Sequence, residues 1–151
     1  MENINDKTVT GLKHLVSICN DGKEGYRNAA ENCDAPELKA LFTTYSIQRS
    51  EFEMVLKSCI HELGANADNE SGGPLGVLHR TWIDIKTALT PNDNKAVIEA
   101  CITGEKAAIE AYEKVLQDAG LSLETHQILA TQRRDIKECL ANISNLEHQY
   151  A

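Results

Sequence analysis

Residues 36–64 read PELKALFTTYSIQRSEFEMVLKSCIHELG. Leu38, Leu41, Phe42, Tyr45, Phe52, Leu56, Cys59, Ile60 and Leu63 recur every three or four positions, which stacks them on one face of an α-helix. Pro36 suits a first helical turn, where its missing N–H leaves no bond unmade, with Asp34 as the expected cap. Gly64 is a natural stop, because it reaches left-handed backbone at little cost. One member of the stripe is foreign to it: Arg49 falls between Tyr45 and Phe52.

The joins on either side of this helix differ greatly. Upstream, a stripe of Leu12, Leu15, Cys19, Tyr26, Ala29, Ala30 and Cys33 predicts a helix from about Asn5 to Cys33, only a few residues before Pro36. Downstream comes ANADNESGG, residues 65–73, polar and glycine-bearing. A shorter amphipathic stretch follows, Pro74 to Leu89, with Leu75, Leu78, Trp82, Ile85 and Leu89 on its seam. Thr90 to Asp93 ends it and caps a third long helix to about Ala119. Gly120 and Ser122 mark the turn into a fourth, reaching about His148. Short joins make helices one and two, and three and four, antiparallel hairpins. The long crossover at about 65–92 between two hairpins is the ferritin-like arrangement, so the expected fold is an all-α four-helix bundle with a short fifth helix, one domain over residues 1–151. Tyr26 and Tyr112 sit at matching places in the first helix of each hairpin, a faint internal repeat.

Composition agrees with that class. Hydrophobic residues make up 42% and charged residues 25%, ordinary for a globular chain, while only 5% aromatics and three prolines leave little strand and turn material. A formal net charge of −8 repels phosphate backbones and anionic lipid, so neither nucleic acid nor a membrane surface is an expected partner. The polar, acid-bearing start MENINDKTVT is not a signal peptide, and no apolar run is of membrane-crossing length, so a cytoplasmic location is expected. Cys19, Cys33, Cys59, Cys101 and Cys139 never form CxxC, which argues for reduced apolar fillers over a zinc site or redox pair.

A bundle of this topology invites a test for a carboxylate di-metal site, which needs Glu-x-x-His pairs on two helices and a further Glu from each of the others. The residues three before His14, His61, His79, His126 and His148 are Gly11, Ser58, Gly76, Leu123 and Asn145. None is a carboxylate, and no histidine acquires one at four residues either. His14, His61 and His126 also lie off their stripes and are expected at the surface. The interior instead receives Arg49, Glu105 (between Cys101 and Ile109) and Gln132 (amid Ile128, Leu129 and Ile136), with Cys19 at the matching depth of the first helix. A lone buried charge is far costlier than a paired one, so Arg49 and Glu105 are expected to meet, with Gln132 adding a hydrogen bond. No catalytic residue and no cofactor is expected. The rival is a non-standard iron or manganese site built on Glu105 and Asp135.

Leu78-His79-Arg80-Thr81-Trp82 holds the only tryptophan. Trp82, with Arg80 and His79 beside it, is expected to anchor the crossover against the bundle; a homodimer interface through the same seam is the alternative. This stretch, together with Asn20 to Glu31, Leu38 to Phe42, Gln48-Arg49 with Phe52, and Gly104-Glu105 with Tyr112, resembles a bacterial family of uncharacterised ferritin-like bundles, distantly similar to rubrerythrins. The resemblance implies the fold and no established activity. Placed against rubrerythrin-like motifs, Cys19, Arg49, Phe52, Gln132 and Asp135 stand where metal-binding Glu and His would be, and only Glu105 survives. Function is thus expected to be that of a non-enzymatic interaction or stress-associated protein, with a metal-binding or oxidoreductase role as the alternative.

Overall fold

The computed structural model describes residues 4–67 and 93–150. Among them are four helices and no strand: α1 (Ile4–Asn32), α2 (Pro36–Glu62), α3 (Asn94–Leu116) and α4 (Leu123–Glu147). The expected short helix at residues 74–89, with His79, Arg80 and Trp82, lies outside the described residues.

Local chemistry sets the ends. Asp93 caps α3 by accepting from the Ala96 amide, and Ser122 caps α4 by accepting from the Thr125 amide. At α2 the expectation is corrected. Pro36 occupies the first turn, which makes Ala35 the cap residue, with no side-chain bond. Asp34 lies one position too early and instead accepts from the Asn94 side chain at 2.9 Å. Past α2, Gly64 takes φ +81°, and its N–H bonds the His61 carbonyl at 2.9 Å, closing the helix.

Cross-helix bonds fix the directions. Asp34, just past the end of α1, meets Asn94 at the start of α3; Thr8 near the start of α1 donates to Asp118 beyond the end of α3 at 2.8 Å. So α1 and α3 run antiparallel, as do the partners within each hairpin. The end of α2 and the start of α3 consequently lie at opposite ends of the bundle.

The core divides into two apolar zones. One gathers Leu12, Leu15, Leu56, Ile60, Leu129 and Ile136; the other gathers Tyr26, Phe42, Tyr45, Ile98, Cys101 and Ile143. In the second, Tyr26 stacks on Phe42 at 5.8 Å and meets Tyr45 edge-on at 5.4 Å between ring centroids. Aromatic pairs of this kind add about 0.5–1.5 kcal/mol beyond their burial. Between the zones sits a belt of polar side chains.

A buried polar centre as the candidate functional site

Each long helix contributes to that belt. Arg49 is 1% exposed, Glu105 0% and Gln132 4%, so all three are buried. Arg49 Nη1 donates to Glu105 Oε1 at 2.7 Å and Nη2 to Oε2 at 2.5 Å, a two-pronged match between a planar guanidinium and a carboxylate. Arg49 Nε donates to Gln48 Oε1 at 3.3 Å, and Cys139 Sγ donates to the same oxygen at 3.4 Å. The guanidinium carbon also lies 5.4 Å from the Tyr26 ring centre, within cation–π range. Burial alone would push the Arg49 guanidinium down, but the Glu105 charge and hydrogen bonds outweigh it, and the net direction is well up. The cation is therefore permanent.

Gln132 serves a second, separate chain. Its Oε1 accepts from Tyr112 OH at 2.7 Å, and its Nε2 donates to the Phe52 carbonyl at 3.5 Å. Its hydrogen bonds thus go to Tyr112 and Phe52, not to the Arg49–Glu105 pair. With the only Tyr112 proton committed to Gln132, the 3.2 Å contact to Cys19 Sγ leaves the thiol as donor. Burial pushes the Cys19 thiol up to about 11 and the Tyr112 phenol well up, so both stay protonated.

Room for the guanidinium comes from Gly22. A Cβ built there would lie 3.3 Å from Arg49 Nη1 and 3.5 Å from its Cγ. Mid-helix Gly→Ala ordinarily gains about 0.5–1 kcal/mol, whereas crowding a packed core costs about 1–3 kcal/mol. The head of Arg49 is pinned by Glu105 and cannot retreat, so Gly22→Ala should lose about 1 kcal/mol. A lower urea midpoint at unchanged slope would show it; a raised midpoint would refute the close fit.

Sequence reasoning missed both Gly22 and Gln48. A glycine inside a helical stripe, at the depth of a buried arginine, was the available signal for the first. Gln48 sits beside the stripe edge and carries no such mark.

Asp135 and Glu105 engage different partners. Asp135 is 30% exposed, meets Arg134 at 3.4 Å, and lines a groove of about 480 Å³ between α2 and α4 with Phe52, Val55 and Ile128. Fit to a di-metal centre is poor on the donors themselves. Both Glu105 oxygens are taken by a fixed cation, whose charge repels a second one. Among the described residues no three His, Cys, Asp or Glu side chains are gathered as a ligand set. His61 and His126 lie exposed as expected, and His14 is exposed too.

A family model described as a domain of unknown function (DUF2383) matches residues 7–118. The chain belongs to the DUF2383 family. No curated protein matches it. The DUF2383 match takes in Cys19, Gly22, Arg49, Glu105 and Tyr112 and stops before α4, so Gln132 and Asp135 lie beyond it. Among the described residues no helix is long and apolar enough to cross a membrane.

Proposed function

We propose that this DUF2383 protein is a non-enzymatic, ferritin-like bundle that works as an interaction or stress-associated protein and needs no metal. The observation carrying this reading is the closed Arg49–Glu105 pair. It puts a built-in guanidinium at the depth where ferritin-like proteins hold metal cations, and it engages both oxygens of Glu105, the one fully buried carboxylate among the described residues. The ferritin-like assignment draws support from the two antiparallel hairpins and from a connection whose ends lie at opposite ends of the bundle. A catalytic role is disfavoured by burial, since a group sealed from water offers a substrate no approach. A cytoplasmic site of action fits the same reading.

Elemental mass spectrometry on untagged protein from iron-, manganese- and zinc-supplemented medium tests it. Metal well below one equivalent is expected, with no change in Tm on adding a chelator. Near-stoichiometric iron or manganese would overturn the reading and favour a site on Glu105 or Asp135.

A further inference from the structure

The outward face of α2 is anomalous for so acidic a chain. Between Lys39 and Glu51 it shows no charged side chain to solvent; Ala40, Thr43, Thr44 and Ile47 are exposed, and the one charged residue of the stretch, Arg49, is buried. Among the described residues the exposed large hydrophobics are Ile47 at 56%, Met54 at 67%, Val55 at 41% and Leu123 at 75%, so three of the four belong to α2. At about 100° per residue, Ala40, Thr43, Ile47, Met54 and Ser58 fall within an arc of roughly 60°. Beside them Val55 runs into the groove floored by Phe52 and Ile128. Loss of charge with retained large apolar groups is the compositional mark of an interface centre.

The occupant can be argued from charge and symmetry. A chain of net −8 repels its own copy over most of its surface, and this strip, where Glu51 is the one exposed charge between Ala40 and Ser58, is where two copies meet at low Coulomb cost. Its layout also suits a two-fold. If two α2 helices cross antiparallel about a point between Ser50 and Glu51, Ile47 of one meets Met54 of the other, twice, and Thr43 meets Ser58 twice.

We propose that the outward face of α2 is a self-association surface, pairing antiparallel with α2 of a second copy through Ile47 and Met54. The strip, from Ala40 to Ser58, is about 28 Å long and one helix wide. That falls short of the roughly 800 Å² per partner of a standard interface, so the dimer belongs to the weak, concentration-dependent class. Glu51 comes nearest its own mate at the two-fold, and that like-charge contact weakens the pairing further.

Self-association deepens the interaction reading above and fails separately from it, since metal analysis decides one and sedimentation the other. Sedimentation velocity over about 1 μM to 1 mM should show a monomer–dimer equilibrium in the micromolar range. Met54→Asp and Ile47→Asp touch exposed positions, so helicity should be unchanged. Each acts twice in a symmetric dimer and should raise the dissociation constant about a hundredfold. Glu51→Gln should lower it severalfold. A monomer throughout, as expected if another protein or a segment of the same chain covers α2, overturns the proposal. So does a dimer that both aspartate variants leave intact, because it would use another face.

Discussion

Glu105→Gln is expected to cost about 3–5 kcal/mol, because it leaves the Arg49 guanidinium buried without its counter-charge. Domains of this size hold about 5–15 kcal/mol in all, so the variant should sit near the edge of unfolding. The two halves of the pair should not be equivalent. A guanidinium cannot shed its charge, but a carboxylate orphaned by Arg49→Met can take up a proton. Folded Arg49→Met therefore keeps a proton that its unfolded chain releases, and its stability should fall as pH rises above the carboxylate range. Glu105→Gln should show no such recovery in acid. Replacing both partners, as Arg49→Met with Glu105→Leu, should bring stability back to within about 1–2 kcal/mol of the native chain, since an apolar pair needs no compensation. Urea unfolding of the four proteins at pH 5 and 8 checks this. Single variants costing under about 1 kcal/mol would mean that water reaches the pair.

The second large effect concerns thiols. All five cysteines are free and buried, from 0% exposed at Cys33 and Cys101 to 5% at Cys59. Burial pushes every one of them up, with Cys19 reaching about 11 and Cys101 rising well above an ordinary thiol. Thiolate is the reacting form, so at pH 8 Cys19 is short of it by about three decades even before access is considered. Labelling of native protein by an alkylating reagent should run at least about a thousandfold slower than in urea, and should follow the opening of the fold. One thiol that reacts natively at the rate of a free cysteine would reveal a mobile helix end and remove the filler account for that residue.

These two expectations differ in how much of them the sequence could supply. The helix spans emerge within a few residues, because apolar residues at three-and-four spacing can be buried in only one way and Gly64 and Ser122 carry their usual end chemistry. Arg49 and Glu105 stood out for the same reason: a charge on a core stripe must find a partner or be expelled. Azimuth was harder. A helical wheel gives the depth of Gln132 but not which neighbour it faces, and its side-chain oxygen bonds Tyr112. Asp34 failed as a cap because Pro36 fixes the first turn one residue later than a capping aspartate would require.

The belt also has a consequence for how the halves find each other. Its strongest bond joins α2 of one hairpin to α3 of the other, and Gln132 to Phe52 and Cys139 to Gln48 likewise cross between hairpins. Apolar stripes by themselves are forgiving of sliding, since leucine against leucine looks much the same one turn away. Sliding by a turn, about 5.4 Å, would strand a guanidinium and a carboxylate in oil. Arg49 and Glu105 thus act as a key cut for a single alignment, so that two greasy hairpins that could dock in several registers settle in one.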